Sequence, residues 1–162
     1  FALVQQQRSA RLMILGEGAQ RRRLEALVRE LGVELEVDLP GFEENPYKYM
    51  SRASAFVLSS RWEALPTVLI EAMGCGCQVI ATDCPFGPRE MLADGHYGQL
   101  VPVQDAEAMA AAMLRVLDCP IDRQLIQQRA ASFSRDRAVA RYLDLMGLSP
   151  SALRTPYSAL SL

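Results

Sequence analysis

Two glutamates, Glu63 and Glu71, stand eight positions apart across the stretch Glu63-Ala64-Leu65-Pro66-Thr67, where an apolar run gives way to a helical pattern. Paired carboxylates can accept the hydroxyl hydrogens of a ribose or a hexose. Pro66 suits the first turn of a helix, because its missing N–H would have had no partner there. The backbone N–H groups around Thr67 and Val68 are then left without acceptors in the helix. Free N–H groups and the helix dipole together make an anion site. A phosphate at that point, with a carboxylate on either side, is a layout suited to a phosphorylated sugar. The same residues also fit a plainer arrangement, a solvated loop carboxylate and a glutamate near a helix cap.

Other candidates are weaker. Cys75-x-Cys77 with Cys84 is the nearest approach to a zinc set, but its spacing departs from the C-x₂₋₄-C pairs of structural sites. Buried, inert thiols are the better reading. His96, the single histidine, lies in Asp94-Gly95-His96-Tyr97-Gly98 and reads as a turn residue rather than a general base. Arg21-Arg22-Arg23 reads as a solvated helix face, offset by Glu25 and Glu30. Gly16-x-Gly18 is half of a dinucleotide fingerprint, but Arg21 stands where its third glycine belongs, and Asp38, closing the second strand, is the sole further support.

The elements that must position these residues are legible as alternation. Apolar runs at 11–15, 35–39, 55–60, 78–82 and 98–103 are separated by helical patterns at 19–31, 45–52 and 66–74 and by a short helix opened by Pro88, and further helices follow at 105–118, 121–132 and 135–146. The opening FALVQQQ reads as the end of a helix. Continuous apolar runs are what strands buried on both faces look like. Strand–helix alternation with short links means a parallel sheet with right-handed crossovers. The expected fold is therefore α/β, a Rossmann-like, doubly wound parallel sheet of five to six strands in a single domain over 1–146, with an unstructured tail over 147–162. Ligands of such sheets sit beyond the carboxyl ends of the strands, which directs attention to loops 16–18, 40–45, 59–66, 83–88 and 95–98.

Composition sets the outer limits. The chain has 162 residues, half of them apolar, and a net charge of −2. Length and composition suit one globular domain with a real core. The balance of charge argues against a nucleic-acid surface, and four cysteines at this length argue for reduced thiols rather than a disulfide framework. The chain starts at Phe1 and reads as a piece of a longer protein.

The stretch Ser59 to Arg89, SSRWEALPTVLIEAMGCGCQVIATDCPFGPR, resembles the C-terminal donor domain of family-four retaining glycosyltransferases, two-domain enzymes of the glycosyltransferase B fold. The E-x₇-E pattern of Glu63 and Glu71 carries the likeness. RLMILGEG at 11–18, LPGF at 39–42 and DGHYGQLVPVQD at 94–105 support it in order and spacing, over residues 1–146. The resemblance implies that Glu63 contacts the donor sugar near the reacting carbon and that Glu71 binds the ribose hydroxyls. It implies that Leu65, Pro66, Thr67 and Val68 form the turn at the diphosphate, and that Gly16, Glu17 and Gly18 let the first loop approach the donor. Gly41 and Phe42 would line the nucleobase slot, with a core position as the alternative for Phe42. Cys84 to Glu90 resembles a block of the branch that builds bacterial polysaccharides and lipid-linked glycans, which points to a UDP-linked hexose or N-acetylhexosamine. There, Arg89 is either a donor contact or a solvated residue.

The implied partners are the nucleotide-sugar, a glycan or lipid-linked acceptor, and an absent N-terminal acceptor domain. No cofactor or metal is implied, and the expected location is cytoplasmic, with any contact to the membrane made by the absent domain. Three residues depart from the pattern: Ala64 where glycine is usual, and Gly74 and Gln78 in place of alanine and proline. An arginine and lysine on the diphosphate would lie upstream of Phe1. Two alternatives share the architecture: a UDP-N-acetylglucosamine epimerase-like domain, and a nucleotide-sugar-binding module without chemistry.

Overall fold

A computed structural model of the chain describes residues 1–148, so that most of the expected tail lies outside the described residues. Its elements run α1 (Ala2–Gln5), β1 (Leu12–Leu15), α2 (Arg21–Glu30), β2 (Val37–Gly41), α3 (Tyr47–Met50), β3 (Ala55–Leu58), α4 (Thr67–Gly74), β4 (Gln78–Thr82), α5 (Pro88–Met91), β5 (Gln99–Val101), α6 (Ala106–Asp118), α7 (Arg123–Ala131) and α8 (Arg135–Leu145). Strand–helix alternation and parallel pairing follow the expectation. The strands form two ladders, β1 with β2 and β3-β4-β5, and no ladder joins the two among the described residues.

β4 shows why the larger unit is wound on both sides. All five of its residues, Gln78 to Thr82, are buried. Successive side chains of a strand point to opposite faces, and here Val79 and Ala81 join a cluster with Leu69, Ala72 and Met73 of α4 and Ile126 and Ala130 of α7. Ile80 faces the other way, into Val101, Ala112 and Val116 beneath α6. Burial of a side chain such as Leu69 or Met73 contributes about 1.5–3 kcal/mol, so the two layers clamp β4 between them. α1 lies against α6, with Val4 buried and Arg8 paired to Asp118.

β2 differs from the expected 35–39. Residues 33–37 close a hydrogen-bonded turn, with the N–H groups of Glu36 and Val37 both donating to the Val33 carbonyl, and Leu35 is left exposed. The strand then runs through Pro40 to Gly41, with a register irregularity where Met13 pairs Asp38 but Leu15 pairs Gly41. Pro40 is tolerated because β2 lies at an edge, where one side of the backbone needs no ladder partner. Asp38 thus lies within the strand and does not close it. The helix bounds shift by a residue or two from those read in the sequence, and Gly32, at φ +64°, supplies the stop after α2.

Candidate functional site

The loop from Ser59 to Pro66 leaves the carboxyl end of β3, and its anchor is a hydroxyl. Ser60 Oγ donates to Glu63 Oε1 at 2.6 Å, which fixes one oxygen of a half-buried carboxylate. The loop's own start is held by Thr82 at the end of β4, whose hydroxyl donates to the carbonyls of Leu58 and Ser60. Pro66, buried at the cap of α4, has φ −71° and ψ 81°, and the N–H of Thr67 donates to the Leu65 carbonyl at 2.8 Å. That is a tight inverse turn. It corrects the expectation of two free N–H groups. Thr67 is satisfied within the turn and Leu69 donates to the Pro66 carbonyl, so of the first three N–H groups of α4 only that of Val68 has no acceptor among the described residues. Glu71 lies one turn further along the helix, half-buried, and its carboxylate takes no hydrogen bond or ion pair among the described residues.

The next loop packs directly on this one. Gly87 has φ +90°, and a Cβ built on it would lie 2.5 Å from Pro66 Cδ and 3.3 Å from the Ala64 carbonyl oxygen. Only glycine fits such a backbone at such a distance. The Asp83–Pro88 turn is therefore docked on the Glu63–Pro66 loop. Arg89 is paired with Asp83 on one side and Asp94 on the other, so it is not simply a solvated residue. From α7, Arg129 donates to the carbonyls of Met91 at 2.8 Å and Glu90 at 2.6 Å and lies over the rings of Tyr97 and Phe133. It closes off the end of α5 and so supports the same turn from behind.

The first two loops form a second group. Gly16, at φ +109°, donates its N–H to the Gly41 carbonyl at 2.7 Å. Glu17 Oε1 lies where a side chain at Gly41 would stand, 2.6 Å from the position of its Cβ, and pairs with Arg21 at 2.5 Å. Arg21 also reaches Glu25 and the Leu39 carbonyl. Arg21 is therefore a stitch between loops rather than a solvated residue, whereas Arg22 and Arg23 are exposed as expected. Glu17, engaged by Arg21, is half committed before any ligand arrives. Gly18 has open space around it. Phe42 is 78% exposed, which overturns the core alternative for it.

Cys77 and Cys84 are buried, and burial pushes the Cys77 thiol up to about 11, with Cys75 adding to the rise and Arg123 opposing it. No group of three His, Cys, Asp or Glu side chains among the described residues stands close enough to hold a metal ion. His96 is an exposed turn residue set edge-on to Tyr97.

The family described as glycosyl transferases group 1 matches residues 1–133. The chain belongs to the group 1 glycosyltransferases. It is 36% identical over 144 residues to the N-acetylgalactosamine-N,N'-diacetylbacillosaminyl-diphospho-undecaprenol 4-alpha-N-acetylgalactosaminyltransferase of Campylobacter jejuni, covering 89% of this chain and 38% of that protein. It is 30% identical over 144 residues to the lipopolysaccharide core biosynthesis glycosyltransferase LpsE of Rhizobium meliloti, covering 86% of this chain and 42% of that protein. Among solved structures, the lipopolysaccharide outer core galactosyltransferase WaaB in its apo form superposes with a TM-score of 0.80 at 25% identity, over 90% of this chain and 43% of that one. The chain thus spans about two fifths of the length of these relatives. The match falls on the C-terminal domain of glycosyltransferase B enzymes. The sequence signalled Glu63, Glu71 and the turn between them. It gave no signal for Thr82 or Arg129, or for the bond from Arg21 to the Leu39 carbonyl, which depend on partners distant in the chain, and the short-range bond from Ser60 to Glu63 was not read either. No described helix is long and apolar enough to cross a membrane.

Proposed function

We propose that this chain is the donor-binding domain of a retaining glycosyltransferase that moves a hexose or N-acetylhexosamine from a UDP-linked donor to a glycan or lipid-linked acceptor. Residues 1–146 form that domain in this reading, and a separate domain supplies the acceptor site. The observation that carries it is the β3–α4 junction: a Glu63 carboxylate held by Ser60, the open N–H of Val68, and an unpartnered Glu71 one turn on. The names of the relatives support the sugar class, since one transfers N-acetylgalactosamine and another galactose.

Each group has a role in this reading. Glu71 accepts the ribose hydroxyls. Leu65 to Val68 curve around the diphosphate, and the Val68 N–H and the positive end of α4 stabilise the charge that grows on the leaving phosphate. Preorganised donors of this kind stabilise a transition state because they need no reorientation as charge develops. Glu63 receives a hydroxyl of the donor sugar close to the reacting carbon, and the Ser60 bond stops it turning away. Gly16 and Gly18 leave room for the donor, and Gly41 and Phe42 border the base. No cofactor or metal has a step in this scheme.

Calorimetric titration with UDP tests the assignment. Glu71→Ala should weaken UDP binding by the 1–3 kcal/mol typical of leaving buried polar partners unpaired, about five- to 150-fold. Glu63→Ala should leave UDP affinity near wild type and lower turnover of the enzyme that carries this domain. Equal, negligible effects of the two changes would sink the division of roles.

A further inference from the structure

The loops beside Glu63 expose two aromatic side chains that the donor reading does not use. Trp62 is 75% exposed and Phe86 70%. Their loops are docked on each other, because Gly87, next to Phe86, packs against Pro66 and the Ala64 carbonyl. Large apolar side chains grouped in the open mark a binding surface more often than chance exposure does, and Trp62 is the chain's single tryptophan.

Charge decides what kind of partner fits. The two docked loops, 59–66 and 83–87, carry Arg61, Glu63 and Asp83, and Asp83 is paired with Arg89, so no cluster of basic residues stands beside the rings. Anionic membranes attract clusters of Lys and Arg, and single-stranded nucleic acid is held by basic grooves; this edge offers neither. It offers aromatic faces beside carboxylates. The C–H bonds on one face of a pyranose are weakly positive and apolar, and pack on the electron-rich face of an indole or phenyl ring. The hydroxyls at the ring's rim are donors for carboxylates. We propose that Trp62 and Phe86 form a stacking platform for a hexose or N-acetylhexosamine ring of the acceptor, beside Glu63. This rests on the reading of the chain as a sugar transferase domain and adds to it that the donor domain itself grips the acceptor sugar.

Trp62 makes the platform directly readable, because all indole emission comes from it. The 162-residue chain is titrated with methyl α-N-acetylgalactosaminide, whose axial hydroxyl leaves one ring face apolar, and separately with UDP by calorimetry. The glycoside should give a saturable blue shift that persists with UDP-N-acetylgalactosamine bound. Phe86→Ala, which removes an exposed side chain and spares the core, should weaken the glycoside by about three- to tenfold, the range for losing one aromatic contact, and leave UDP affinity unchanged. Trp62→Ala, followed by calorimetry, should do the same. UDP binding with no glycoside shift overturns the platform and leaves the donor reading standing. A glycoside shift without UDP binding overturns the donor reading and leaves a sugar platform. Displacement of the glycoside by UDP-N-acetylgalactosamine assigns the rings to the donor sugar and overturns the acceptor role. A shift with phosphatidylcholine–phosphatidylglycerol vesicles but none with the glycoside makes the surface a membrane contact and overturns the proposal.

Discussion

Two glycines at the candidate site are needed for different reasons, and substitution separates them. Gly87 is required by backbone and space: Gly87→Ala should lose about 1–3 kcal/mol through strain at a left-handed position, read as a lower midpoint in urea at unchanged slope. Gly18 has an ordinary φ and open space. Gly18→Ala should therefore shift stability by less than about 0.5 kcal/mol and weaken UDP binding, because the methyl group stands where the donor is expected. Unchanged UDP affinity would remove Gly18 from the site. Thiol chemistry gives another residue-level check. A thiol pushed up to about 11 is about one part in a thousand thiolate at pH 8, and thiolate is the reactive form. Exposed Cys119 should be alkylated first in the native chain at pH 8, with Cys77 and Cys84 modified only on unfolding, as mass spectrometry of labelled peptides would show. Glu63, Pro66 and Glu71 were legible in the sequence because a proline-opened helix after an apolar run is a local pattern. The Thr67 N–H was misread because the turn that consumes it depends on the ψ of Pro66, which no residue type announces.

At the scale of elements, α7 is more than packing. Arg129 closes two carbonyls at the end of α5 and lies between two rings. Arg129→Met keeps much of the stem and loses the hydrogen bonds, for an expected loss of about 1–3 kcal/mol. Because α5 begins at the turn docked on Pro66, the same change should raise the KM for the donor in the enzyme that carries this domain; an effect on stability alone would limit α7 to a structural role. Helix periodicity located α2, α4 and α6 to within two residues. β2 was placed two residues early because its apolar run, Leu35 to Leu39, begins inside a turn. The chain uses Leu35 at the surface there, and hydropathy cannot tell that from a strand.

For the whole molecule, burial is uneven. β4 is buried along its length, whereas α2 has no fully buried residue and β1 and β2 are part-exposed. Regions with few buried contacts open at lower free energy. Amides of Val79 to Ala81 should outlast those of β1 in hydrogen exchange by at least about tenfold. A donor that touches both loop groups should raise protection in β1 and β2 most, where there is most to gain. Parallel topology was legible because βαβ alternation leaves few other choices. The division into two ladders was not, since no apolar pattern records whether two strands stand close enough to bond.

Gln78 stands where the resemblance described above would put proline, and its side chain has work of its own: the amide donates to the Ile121 carbonyl at 2.7 Å while its oxygen accepts the Ile121 N–H at 2.9 Å. The linker between α6 and α7 is thereby latched to the start of β4. Engineers often seek sturdier proteins by reverting odd residues to the commonest one among relatives. Here that reversion would strip two bonds from a stretch that has arranged itself around them, and the minority residue is the one to keep.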